Sequence, residues 1–215
     1  MNVLLDNLAD FGQRFGTTIL LFLFSGAVSL VLGTALAGMR VSPVPVLRVI
    51  GTAYVTLLRN TPLTLVLFAF AFVFPILEIV DLDFFTLAVI GLSLYTSAFV
   101  CEVVRSGIST VPSGQAEAAR ALGLGFAQTL GTVVLPQAVR AVVPPLTSIE
   151  IALLKNTTVA AGFSVVEAGG IYRLLNERGY STLIGLLWVA LGFLILVTPL
   201  TLVQRRLEKR WSVSR

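Results

Sequence analysis

Two short stretches of this chain each combine a cation, an amide and a hydroxyl. They are Leu57-Leu58-Arg59-Asn60-Thr61-Pro62-Leu63 and Leu153-Leu154-Lys155-Asn156-Thr157-Thr158-Val159. Arg59, Asn60, Thr61, Lys155, Asn156 and Thr157 together offer what a ligand carboxylate needs: positive charge and several hydrogen-bond donors. Two carboxylates, Glu102 and Glu150, lie in or beside similarly apolar surroundings. Ionisable groups within apolar runs are costly to bury in lipid and are read first as functional. A plainer reading stands beside this one. Arg59 could snorkel to an interface, Lys155 could pair with a helix carbonyl or a neighbouring subunit, and Glu102 and Glu150 could lock helices together. Glu150 and Lys155 are five positions apart, about 140° around a helix, so spacing alone does not pair them.

Other chemistries are excluded by what is missing. The chain has no histidine, which removes Ser-His-Asp and Cys-His catalysis and imidazole-based metal sites. The single cysteine, Cys101, has no disulfide partner within the chain and reads as a small buried hydrophobe. No catalytic residue, metal site or cofactor is expected. The net charge of +4 would suggest nucleic acid in a soluble protein. Here the basic residues flank apolar runs, so no nucleic-acid partner is expected.

The elements that must position these residues are membrane helices. Of 215 residues 56% are hydrophobic and only 12% charged, about half the usual charged share. A water-exposed surface cannot be built from that supply. A bilayer core needs about 20 apolar residues per helix. Uncharged runs span residues 15–39, 60–77, 84–101 and 179–204. A further apolar stretch carries Glu150 and Lys155. The expected fold is an all-α membrane protein of one domain, with five spans near 16–39, 60–78, 84–104, 141–165 and 180–204. The uncharged stretch 121–139 contains Gly123, Gly125, Gly131 and Pro136 and is expected to be interfacial helix and loop. Gly26, Gly33 and Gly38 are expected at close helix crossings.

Asp6 and Asp10, where a signal peptide would be basic, argue for an uncleaved first helix. With the N-terminus outside, eleven of the 15 Lys and Arg residues fall in inside segments, three (Arg14, Arg173, Arg178) outside, and Lys155 within the bilayer. The positive-inside rule therefore puts the N-terminus out and the C-terminus in the cytoplasm.

The inside segment 105–140 is too long for a simple connection and is built from helix formers and small residues, so it should be ordered and touch something. A short helix is expected over Gln115–Leu122, after a turn at Pro112-Ser113-Gly114 and closed by Gly123. It could lie in a groove of another protein or on the membrane. Its residues Glu117-Ala118-Ala119, then Gly123, then Val133-Val134-Leu135-Pro136 resemble the EAA signature of membrane subunits of ATP-binding-cassette (ABC) importers, with Val in place of the usual Ile. The Arg59–Leu63, Tyr95–Ile108 and Leu154–Thr158 stretches resemble polar amino-acid permeases of that superfamily, those for histidine, glutamate, glutamine and arginine, over roughly residues 12–208.

The resemblance implies that 105–140 is a coupling loop, with Glu117, Ala118, Ala119 and Gly123 forming the ATPase contact. It implies a permease subunit in the bacterial plasma membrane for polar amino acids, glutamate among them, working by alternating access. It also implies three partners: a cytosolic ATPase dimer, a second permease subunit (paralogue or self-copy) and an external substrate-binding protein. The chain has no G-x-x-x-x-G-K-[ST] phosphate loop, consistent with ATP hydrolysis on a separate subunit. A self-contained secondary transporter or channel, or a membrane assembly protein, would leave the long inside loop unexplained.

Overall fold

The computed structural model describes residues 3–79 and 81–211. After a single turn at Val3–Asp6, helix α1 covers Leu8–Val41. Next come α2 (Pro45–Arg59) and α3 (Leu63–Ile76), whose axes meet at 100°. Helix α4 covers Phe84–Ser109 and α5 covers Ser113–Ala121. Then come α6 (Phe126–Phe163), a short α7 (Ile171–Glu177) and α8 (Thr182–Trp211). Among the described residues α1, α4, α6 and α8 are each long and apolar enough to cross a membrane, and the bent α2–α3 pair is the fifth candidate.

The expected architecture is all-helical, and so is the structure; two boundaries differ. Residues 45–59, which fall between the first two expected spans, form α2. Pro45 sits in its first turn, where the missing N–H costs nothing. Only Gly51 and Val55 are buried on it, so its apolar residues are one face of an amphipathic helix rather than a full span. The second correction concerns 126–140, expected as interfacial helix and loop. A π-helical turn at Thr129–Val134 carries the chain past Gly131 into a continuous helix from Leu135, with Pro136 in the first turn of that segment. The wider turn leaves room for residues that would break an ordinary α-helix. The helix that carries the fourth candidate span thus starts about fifteen positions before residue 141.

Packing centres on α1 against α4. A Cβ at Gly33 would lie 2.5 Å from the Val100 Cβ and 2.7 Å from the Ser97 carbonyl oxygen. Gly26 faces α6, where a Cβ would come within 2.8 Å of the Glu150 carboxylate. Gly38 has open space around it, so the expectation for that glycine is corrected. Asp83 starts α4 by accepting from the backbone N–H of Thr86 at 3.0 Å and from its hydroxyl at 2.6 Å. The hydroxyl and backbone donors of Thr86 hold the Asp83 carboxyl below its ordinary range. Helix α8 is peripheral: only 6% of its most apolar stretch is buried, which leaves its Leu and Ile side chains for lipid or another subunit.

Candidate functional site

The segment around α5 is built from its cap outward. Helix α5 ends in a left-handed Gly123 with φ +87°. The N–H of Leu124 donates to the Ala119 carbonyl at 3.2 Å, and that of Gly123 to the Arg120 carbonyl at 2.9 Å. This is a Schellman closure, which favours glycine because side chains are strained at positive φ. The chain then turns at once into α6, where the Gln128 side chain accepts from the Gly125 N–H at 3.0 Å. Glu117, Ala118 and Gly123 are exposed. Ala119 is 5% exposed, on a helix that packs against the Thr129–Val134 turn. The sequence reading missed two residues, Leu122 (85% exposed) and Phe126 (79% exposed), which project beside Gly123. A large apolar side chain at the tip of a polar segment was the available signal.

The two cation-amide-hydroxyl stretches converge on α4. Leu63 and Leu153 pack in one apolar cluster with Leu67 and Leu92. Both stretches lie at breaks: α2 ends at Arg59 before the 100° bend, and α6 tightens from α to 3-10 geometry at Thr157. Between α4 and α6 lies a cavity of about 240 Å³ whose wall includes Tyr95, Thr96, Phe99 and Asn156. Counting from Phe84, Thr96 is the thirteenth of the 26 residues of α4, so the cavity sits at mid-helix. Tyr95 and Phe99, one helical turn apart, have ring centroids separated by 5.1 Å. The Arg59 guanidinium stands over the Phe99 ring at 5.7 Å. Phe99 thus joins the Arg59 stretch to the cavity wall that Asn156 shares.

The six candidate ligand residues separate on inspection. Asn60 donates to the Thr56 carbonyl and Thr61 to the Leu57 carbonyl, both at 2.8 Å, so these side chains close the last turn of α2. Thr157 is fully buried and donates to the Leu154 carbonyl at 2.7 Å. Asn156 is half-buried at the cavity. Lys155 is exposed, and its ammonium has no hydrogen bond or ion pair among the described residues. It is not paired with Glu150.

Glu102 is a lock, held by three helices. Its Oε1 accepts from Arg40 of α1 and lies 3.6 Å from Nη1 of Arg59 of α2, while its Oε2 accepts from Arg105 of α4 at 3.0 Å. Arg40 was not singled out from the sequence. Glu150 makes no such lock: its Oε1 is buried without a hydrogen-bond partner.

This chain is similar to several known proteins. The family model described as "binding-protein-dependent transport system inner membrane component" matches residues 29–213. The chain belongs to this family. The glutamate transport system permease protein GluC of Corynebacterium efficiens is 44% identical over 96% of this chain and 98% of the relative. The probable glutamine ABC transporter permease protein GlnM of Bacillus subtilis is 37% identical over 100% and 99%. Among solved structures, an amino acid ABC transporter crystallised with histidines superposes with TM-score 0.89 at 23% identity, over 96% of both chains. The MetNI methionine ABC transporter in an inward-facing form gives 0.72 at 20% identity, over 96% of both. These last two establish a fold shared with chains of ABC transporters. The permease is a multi-pass protein of the bacterial inner membrane, and its family works with a nucleotide-binding subunit and a substrate-binding protein.

Proposed function

We propose that the permease imports a polar amino acid, of the glutamate and glutamine class that its relatives' names indicate, through a path beside α4 and α6. The mid-helix cavity is the observation that supports this most directly. Its volume of about 240 Å³ equals roughly eight water volumes at about 30 Å³ each, the scale of one amino acid. Tyr95, Thr96 and Asn156 supply hydrogen-bonding groups there, and Arg59 and Lys155 supply positive charge at its approaches. Polar groups near mid-bilayer beside interrupted helices are how transporter sites are commonly built. Lys155, next to Asn156, is exposed in a single chain, and a second permease subunit, a paralogue or a self-copy, completes the path.

The permease has no catalytic residues of its own in this reading. An external binding protein delivers the amino acid, and a cytosolic ATPase dimer closes against α5, with the N-terminus outside. Glu117, Ala118, Leu122 and Phe126 meet the ATPase, while Ala119 and Gly123 hold the helix in shape. Closure moves α5 and, through its contact with the Thr129–Val134 turn, the long helix α6 that carries Asn156. That gives alternating access a mechanical route.

The test uses the reconstituted system of permease, ATPase and binding protein. Glu117→Lys should abolish binding-protein-stimulated ATP hydrolysis and uptake while membrane abundance stays normal. Asn156→Ala and Lys155→Ala should weaken glutamate uptake while coupled hydrolysis remains. If Glu117→Lys keeps coupled hydrolysis and uptake, the assigned role of α5 is wrong; if both cavity variants transport normally, the assigned path is wrong.

A further inference from the structure

An open groove runs between α2 and the ends of α1 and α4 nearest α5, with a volume of about 860 Å³. Arg40, Arg48 and Arg105 line it. Its α2 wall is divided lengthwise. Arg48, Thr52 and Thr56 form one row at four-residue spacing, and Pro45, Val49, Ala53 and Leu57 form the next, because residues four apart stack along a helix. Val49 and Leu57 are each 67% exposed.

The charge in this region is unbalanced. Among the described residues Glu102 is the only carboxylate paired with Arg40, Arg59 and Arg105, and Arg48 adds a fourth cation that donates to the Ser42 carbonyl at 3.3 Å. The Nε of Arg105 is buried with no acceptor. An anion is therefore favoured at one end of the groove, and the row through Val49 and Leu57 favours an apolar chain along the rest. A free inorganic anion would satisfy only the first half.

We propose that this groove binds one anionic phospholipid, its phosphodiester held by Arg40, Arg48 and Arg105 and an acyl chain lying along Val49, Ala53 and Leu57. Guanidinium groups match phosphate oxygens in geometry as well as charge. The inner leaflet is the lipid's source, a point that rests on the N-outside arrangement proposed above; the site itself does not depend on transport. A bound lipid would brace α2 just ahead of the bend that leads to Asn60 and α3.

Native mass spectrometry of the detergent-purified permease complex provides the test, after exchange into mixed micelles of phosphatidylglycerol and phosphatidylcholine with identical acyl chains. Phosphatidylglycerol should be retained at least tenfold over phosphatidylcholine. Arg48→Gln, which leaves the Glu102 lock untouched, should lower retention about fivefold, the scale of one surface cation near an anionic headgroup. Leu57→Ser should lower retention of the lipid without changing retention of glycerophosphate. Arg205→Gln with Arg206→Gln, at the far end of α8, should change nothing. Equal retention of the two lipids would overturn the proposal, as would unaffected retention in both groove variants, competition by glycerophosphate as effective as by lipid, or protection of Val49 and Leu57 by a second permease copy. None of these readouts involves uptake, so their failure is distinct from failure of the transport reading.

Discussion

Glu102 and Glu150 look equivalent in the sequence, each a carboxylate in an apolar helix, and they have opposite surroundings in the fold. Glu102 is 22% exposed and faces three arginines from three helices. Glu150 has a buried oxygen with no partner, and the backbone of Gly26 passes beside it. Arg105 is on the same helix as Glu102, and the rest of the difference lies in what the neighbouring helices deliver to that level. Arg40 ends α1 and Arg59 ends α2, so both reach the same turn of α4; nothing cationic on α1 reaches Glu150. A lock is thus a property of converging helix ends, and one helix's sequence cannot reveal it.

The sharpest way to break this contrast is to remove each carboxyl. Glu102→Ala leaves Arg40, 13% exposed, without its acceptor, and stranding one partner of a largely buried pair costs about 3–5 kcal/mol. The partial exposure of Glu102 and Arg59 favours the lower end. Glu150→Gln removes no ion pair and should change stability by about 1 kcal/mol or less. Thermal unfolding of both variants in one detergent checks this. A loss in Glu150→Gln as large as in Glu102→Ala would mean that Glu150 has a partner in the assembled transporter.

Two glycines of α1 repeat the comparison with steric rather than electrostatic terms. The Cβ of Gly33→Ala would meet the Val100 side chain and the Ser97 backbone at 2.5 and 2.7 Å. Backbone cannot swing away, so α1 and α4 must separate, at a cost of about 2 kcal/mol for overpacking. In Gly26→Ala the obstacle is the Glu150 carboxylate at 2.8 Å, the far end of a flexible side chain, and the cost should be smaller. Unfolding midpoints of the two variants give the order; a reversed order would show that Glu150 is held firmly after all.

These contrasts also mark how far sequence could carry the reading. Helices α1, α4 and α8 were legible because lipid demands length and apolarity, both countable between Arg14 and Arg40 or from Gly179 to Gln204. Gly123 was legible because a positive φ favours glycine at that cap. Helix α2 was not: it is 15 residues long, carries Arg48 in its first turn and buries little. The start of α6 was hidden because Gly131 and Pro136 argue against helix, and a π turn overrides that only in three dimensions. At the cavity, Asn156 and Lys155 stood out by polarity, whereas Tyr95 and Phe99 are ordinary in an apolar helix until α6 packs opposite. Thr157 carried the same polar signal as Asn156 and proved to be turned inward.

Glu167 carries the contrast outside the membrane spans, in the segment between α6 and α7. Its side chain is fully buried, and its Oε2 accepts from the Thr18 hydroxyl at 3.0 Å, while Thr18 in turn accepts from the Ala168 N–H at 3.0 Å. The other oxygen has no hydrogen-bond partner. Burial pushes the Glu167 carboxyl above its ordinary 4.5, and the Gly169 N–H, the Thr18 hydroxyl and the Arg14 charge offset this only in part. A carboxyl whose folded pKa is raised favours the folded state at pH below its unfolded value, and that contribution is lost as pH rises through the folded pKa. Glu167→Gln keeps an oxygen for Thr18 and never ionises. Its unfolding midpoint should therefore match the wild type near pH 4.5 and exceed it at pH 8, by a few degrees at most, since 1 kcal/mol corresponds to about 2–4 °C in a chain of this size. A wild type that gains on the variant as pH rises would show that Glu167 is held as a paired anion, and the distinction between one carboxylate locked by cations and two without an ion pair would reduce to Glu150 alone.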